Sequence, residues 1–277
     1  MKKIIALLLL TLFLSSLMTS CKKDKGHPPT LPPAESMTID FSNFVSGGKS
    51  SDQISLPKGV ENSNWEFAAL VAGYFRALII GTLAVPVYSF TQAVDETPAY
   101  LSDKTWQWSY SATLLNITYK ARLTGQIRTT DVEWKMYITR EGTGGFSEFL
   151  WFEGTSKIDG TGGQWILNHS SQYKEPLLQI DWTKSATGTG TVRYTYIRTL
   201  NDNRVTDTFN GSYIEYGRLT GTFNSYFTIH YYNGVKFSEM NVEWNSTSRN
   251  GKVKCFDFFG DSNWYCWDGN LVNITCP

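Results

Sequence analysis

Asp257 and Arg76 are the two residues whose settings could support chemistry. Pairing the C-terminal strands about Asn250-Gly251 and Gly260-Asp261 sets Asp257 opposite Trp244 on one side and Trp264 on the other. A carboxylate flanked by indole faces suits a sugar ring or a cationic head group, whereas its plain role is a strand residue whose carboxylate reaches solvent. Arg76 is the single charge in the apolar run from Phe67 to Val85. An enclosed guanidinium costs several kcal/mol unless it is paired, so it calls for a carboxylate partner, a carbonyl or the acid end of a fatty acid or lipid.

Other reactive groups are sparse. His27, His169 and His230 have no second His or Cys at metal-ligand spacing, and neither a G-x-S-x-G elbow nor a glycine-rich phosphate loop is present. No cofactor motif is visible. A two-residue turn at Asn233-Gly234 puts His230 across from Phe237 and diagonal to Glu239, as a half-buried sheet residue. Glu133, Glu148, Glu153, Asp181, Glu239, Glu243 and Asp257 fall on predicted strands, but a glycosidase needs two of them across a cleft, which sequence cannot place. Lys plus Arg and Asp plus Glu are equal at 25 each, which argues against nucleic acid as a partner. An envelope hydrolase therefore ranks below a binding protein.

The N-terminus gives a compartment. Lys2 and Lys3 precede an apolar stretch from Ile4 to Leu14, as in a secretory signal peptide spanning residues 1–20. Leu17-Met18-Thr19-Ser20-Cys21 resembles the lipobox of bacterial lipoproteins. That resemblance implies that Cys21 becomes the mature N-terminus, carries acyl chains such as palmitate, and anchors the protein in the cell envelope, at the outer membrane. Ordinary signal-peptidase cleavage would instead leave Cys21 a plain thiol. Residues 21–36, charged and proline-rich, have the composition of a solvated tether, which leaves 37–277 as a single domain. Cys255, Cys266 and Cys276 allow one disulfide. The turn at Gly260-Asp261 favours Cys255 with Cys266 and leaves Cys276 free or otherwise paired.

Two kinds of element must position these residues. Ser63-Asn64-Trp65-Glu66 is a capping-box pattern that starts a helix over about 64–84, ended by Pro86. Ala69, Gly73, Ala77 and Gly81 form a stripe of small side chains that a sheet could approach, so the helix is expected to be buried nearly all round rather than to span a bilayer. From Tyr100 onward apolar residues alternate in short runs between turn signals: Trp106, Trp108 and Tyr110; Val132, Trp134, Met136 and Ile138; Leu178, Ile180 and Trp182; Val192, Tyr194 and Tyr196. Ten or more strands of this kind predict an all-β antiparallel meander forming a barrel or half-barrel. A helix followed by a β meander is similar in element order to lipid-binding half-barrels of the bacterial envelope. The expected function is non-catalytic binding of an apolar or amphipathic ligand, a lipid or fatty acid, in the β concavity with Arg76 or Asp257 at its edge. The alternative is a glycan- or protein-binding surface module using exposed rings among Trp106, Trp108, Trp244, Trp264 and Trp267.

Overall fold

A computed structural model describes residues 25–44, 64–185 and 188–277, with the backbone alone at 185, 188 and 189. Among them fourteen strands follow one another in chain order, each antiparallel to the next. They are β1 Ala99–Tyr100, β2 Thr105–Leu114, β3 Ile117–Ile127, β4 Asp131–Arg140, β5 Phe146–Lys157, β6 Gly162–Asn168 and β7 Pro176–Ser185. After these come β8 Gly188–Tyr196, β9 Tyr213–Arg218, β10 Ser225–Tyr232, β11 Phe237–Trp244, β12 Gly251–Cys255, β13 Tyr265–Trp267 and β14 Asn273–Ile274. β1 and β14 are the two ends of the order, so the sheet is an open meander, a half-barrel.

Alternation decides which face is inside. In β4, Val132, Trp134, Met136 and Ile138 are at most 2 % exposed while the residues between them stay half in solvent. Trp108 and Tyr110, Ile180 and Trp182, and Val192 and Tyr194 repeat the pattern on one continuous inner face. Burial of one such apolar side chain is worth about 1.5–3 kcal/mol, so the sheet gains only if something covers that face. Two segments do.

The first cover is the segment expected to be a free tether. Lys25 to Pro28 are exposed, but Pro29, Pro32, Ser36, Met37, Ile39, Phe41 and Phe44 are buried. Two 3-10 turns, Ala34–Met37 and Ser42–Phe44, shape this stretch. The Trp165 indole Nε1 donates to Ser36 Oγ at 3.2 Å, and Phe44 meets Trp244 edge-on with ring centroids 4.8 Å apart. The spacer of 21–36 is thus solvated only in part. A proline-rich strand makes no internal hydrogen bonds and carries apolar rings, so an aromatic surface can take it in as readily as water can.

The second cover is α1, Asn64–Gln92, which is longer than the expected 64–84 because Pro86 lies inside it. Proline removes one backbone bond and costs about 3 kcal/mol in a helix interior. Continuation past it is supported by Pro86, Ser89, Phe90 and Ala93, all buried. At its N-terminal end Asn64 N donates to Asn273 Oδ1 in β14 at 2.5 Å, and Asn64 Nδ2 donates to the Cys266 carbonyl in β13 at 2.8 Å. Ser63, the expected cap, lies outside the described residues. At the other end the Tyr110 hydroxyl of β2 donates to the Ser89 carbonyl, and Phe90 packs edge-on against Trp165 at 5.5 Å. The helix therefore bridges the two ends of the meander, over about 44 Å at 1.5 Å per residue.

Its packing corrects two expectations. The covered stripe runs Ala68, Ala72, Phe75, Ile79, Leu83, Pro86 and Phe90, at helical spacing, and the opposite face is exposed. The helix is not buried all round. Of the small-residue stripe only Ala69 is buried; beyond it the stripe is not the contact face, since a methyl group added at Gly73 or Gly81 would meet nothing within 4 Å. Bulky side chains made the contact because the sheet's own inner residues are large and close packing needs interdigitation rather than a flat approach. In urea unfolding, Phe90→Ala should lower stability by about 3–5 kcal/mol. Gly81→Ala should leave it unchanged or raise it by up to about 1 kcal/mol.

Candidate functional site

The structure does not assemble the expected aromatic-carboxylate site. Trp244 pairs with Gly251, Met240 with Cys255, and Lys252 with Cys266. The β11–β12 connection is the loop 245–250, where Asn245 Oδ1 accepts from Thr247 N and Ser248 N at 2.9 and 3.0 Å and Arg249 takes a positive φ of 65°. Asn-mediated turning thus wins over the Asn250-Gly251 dipeptide. Gly251 instead sits in the strand, where a Cβ would come 2.4 Å from the Trp267 ring. Trp244 is 2 % exposed and faces the core.

Asp257 leaves the ladder altogether, on the one-turn helix α2, Phe256–Phe259. It is exposed and accepts from Asn233 Nδ2 at 2.8 Å and from the Tyr231 hydroxyl at 3.0 Å. The Asn233 amide, then Ser238, hold its carboxyl below the usual range, and the bonds secure the β10–β11 turn. Trp264 is half-buried beneath the Lys252 and Lys254 ammonium groups, 4.2 and 4.9 Å from its ring. Arg76 is exposed on α1, with no ion-pair partner among the described residues. Water solvates it, and no enclosed charge needs a ligand. Arg76, Trp244, Asp257 and Trp264 do not form one site.

The disulfide differs too. Cys266 bonds Cys276, with Cα atoms 5.1 Å apart, and Cys255 is a free thiol at 3 % exposure, 3.4 Å from the Tyr231 hydroxyl. α2 inserts a helical turn between β12 and β13, which shifts their register and carries Cys255 past Cys266.

His230 faces Glu239 rather than Phe237 in register, because Asn233 to Lys236 form a four-residue turn closed by Asn233 N on the Lys236 carbonyl at 3.0 Å. Its ring is stacked between Tyr213, at 5.2 Å and 16°, and Phe237, at 4.8 Å and 8°. These rings lie face to face across β9, β10 and β11 on the outer side of the sheet. Their faces cover one another, a cross-strand ladder and not an open platform for a sugar. Trp108, Trp244 and Trp267, at most 3 % exposed, are likewise withdrawn from any surface role.

What the fold does assemble is a cleft of about 840 Å³ beside the buried N-terminal segment. One wall is Pro33, Glu35, Thr38, Ile39 and Asp40; the other is Lys184 at the end of β7, Tyr216 and Arg218 in β9, and Leu219 and Asn224 after it. Alternation in β9 turns Tyr216 inward, at 4 % exposure, and leaves Arg218 at the rim with its guanidinium carbon 5.6 Å from the Tyr216 ring. Arg218 Nη1 donates to Ser225 Oγ at 3.0 Å, and Asn224 Oδ1 accepts from Ser246 N at 2.9 Å, so both are held in place. Burial pushes the Tyr216 hydroxyl above its ordinary range, which keeps it neutral. Glu35 and Lys184 have no ion-pair partner among the described residues.

The charged groups of the lining are divided between its two walls. Among the described residues, both carboxylates of the lining, Glu35 and Asp40, are on one wall and both cations on the other, so no acidic pair of these faces across the cleft as a glycosidase requires. Its lining contains, among the described residues, no His, Cys or Ser. Among the described residues no group of three His, Cys, Asp or Glu is placed to hold a metal. Nothing in the sequence pointed to this cleft, because its walls are about 150 residues apart and one of them looked like a linker. The remaining charge cluster is structural. Arg198, 5 % exposed, pairs with Glu175 at 2.9 Å and Asp202 at 2.7 Å, which ties the loop before β7 to the loop after β8.

Three outcomes check this geometry. Gly251→Ala should destabilise by about 1–3 kcal/mol through overpacking against Trp267, read by urea unfolding. Peptide mapping should recover Cys266 linked to Cys276, and Cys255 should react with a thiol reagent only in denaturant. The Glu175 carboxyl is held below its ordinary range by Arg204 and then Arg198, so its stabilisation is present above that range and lost as pH falls through the lowered value. Glu175→Gln should accordingly flatten the acid limb of the stability–pH profile. No protein-family model matches the chain, and no curated protein and no solved structure matches it either, so its own geometry has to carry the functional assignment.

Proposed function

We propose that this is a lipid-anchored protein of the bacterial cell envelope that holds an amphipathic ligand, without catalysis, in the cleft between residues 33–40 and the β7–β10 end of the sheet. The observation that carries this function is the cleft itself. It is lined by apolar surface of Ile39, Tyr216 and Leu219 together with cations on one side and carboxylates on the other. A volume of about 840 Å³ falls in the range of small-molecule sites, roughly 300–1,000 Å³. An apolar body fits the apolar surface and a charged or zwitterionic head fits the charged groups. The Cys21 lipobox resemblance supports the anchored location, and the Cys266–Cys276 disulfide fits an oxidising compartment outside the cytoplasm.

The site lies away from the helix-covered concavity. Phe90, Trp134, Trp165, Met37 and Leu123 are 0 % exposed in the core that the sheet shares with α1 and the N-terminal segment.

Native mass spectrometry of protein extracted from membranes in mild detergent should show a bound small molecule. Replacement of both exposed cations, Arg218→Ala with Lys184→Ala, should remove it while leaving the unfolding transition in place. An adduct that survives the double replacement, or no adduct on the unaltered protein, overturns the assignment.

A further inference from the structure

α1 is apolar on every side, yet the protein covers only one of them. Opposite the packed stripe, Tyr74, Leu78 and Ile80 are 43, 49 and 49 % exposed, with Ala77, Gly81 and Ala84 exposed among them. Arg76 is the only charge on the middle of this face. Tyrosine and arginine are the side chains that carry an apolar body with a polar tip suited to lipid head groups.

The chain upstream says what lies against that face. Lys25 has its ammonium 5.6 Å from the Tyr100 ring of β1, and Tyr100 follows the end of α1 by only eight residues. The N-terminal arm therefore leaves the domain beside the C-terminal end of α1. Cys21 is four residues before Lys25, a reach of at most about 14 Å. The headgroup layer of one leaflet accounts for about 5–7 Å of that. Acyl chains on Cys21 thus hold the domain in contact with the bilayer, not away from it. The sequence Lys22-Lys23-Asp24-Lys25 carries a net positive charge, which adds attraction to anionic lipid.

We propose that the uncovered face of α1 lies on this bilayer, parallel to it, with Tyr74, Leu78 and Ile80 at the boundary between head groups and acyl chains. The proposal rests on the lipid-anchored reading above. A membrane-spanning orientation is incompatible with the fold, since both ends of α1 are bonded to the same sheet.

The lipidated full chain, bound to vesicles of phosphatidylethanolamine and phosphatidylglycerol, provides the test. An environment-sensitive fluorophore is placed through Ile80→Cys, or through Glu239→Cys on the outer face of the sheet; both positions are exposed, and Cys255 is buried. The label at 80 should shift to shorter wavelength and be quenched by spin-labelled lipid, and the label at 239 should do neither. A label at 80 that stays water-like on protein that co-floats with the vesicles overturns the docking and leaves the anchor standing. Protein that does not float at all overturns both. A shift at 80 that grows with protein concentration in the absence of vesicles assigns the face to a second copy of the chain and overturns the proposal.

Discussion

An open antiparallel sheet with one aromatic face cannot stay uncovered in water. The inner surface of this half-barrel presents Trp108, Trp134, Trp165, Trp182 and Trp244, all at most 3 % exposed once the chain has folded. The rest of the architecture follows from covering them. α1 reaches across from β13 and β14 to β2, and the segment from Pro29 to Phe44 fills the remaining inner surface. Because α1 is fixed at both ends by hydrogen bonds to opposite ends of the meander, it also stands in for the strand pairing that β1 and β14 do not make.

The same cover shapes the surface around it. Burial of residues 29–44 brings Glu35 and Asp40 to face Lys184 and Arg218, which creates the cleft. It also leaves only Lys25 to Pro28 exposed ahead of the buried segment among the described residues. The N-terminal segment is therefore both a cover of the core and a wall of the cleft. α1 has more apolar surface than the sheet can use, and its unused face is directed away from the core.

Charge placement sets the character of the cleft. Separation of carboxylates and cations onto opposite walls gives its rim a dipolar character. Elsewhere, charges that could be mistaken for chemistry are satisfied by neighbours: Arg198 by Glu175 and Asp202, and Asp257 by Asn233 and Tyr231.

Local patterns alone determined the meander. The alternation at 106–110, 132–138, 178–182 and 192–196 named the inner face, with Trp106, Leu178 and Tyr196 only half-buried towards the strand ends, because side-chain period in a strand is fixed by backbone geometry and one face must be dry. The apolar run after Asn64 was likewise legible as a helix. Everything that depended on register or on distant partners was not. Gly251 looked like a turn residue, but only the approach of the Trp267 ring shows why a glycine stands there. That shift moved Asp257, Trp264 and Cys255 away from the partners expected of them. The proline-rich segment, polar and extended by composition, is buried because an aromatic surface far along the chain receives it. Pro86 failed to end α1 because Ser89 and Phe90 pack beyond it. Sequence determined which surfaces had to be buried, since that is a property of each stretch. Tertiary structure decided what buries them, since contact energy belongs to pairs of segments and neither member carries it alone.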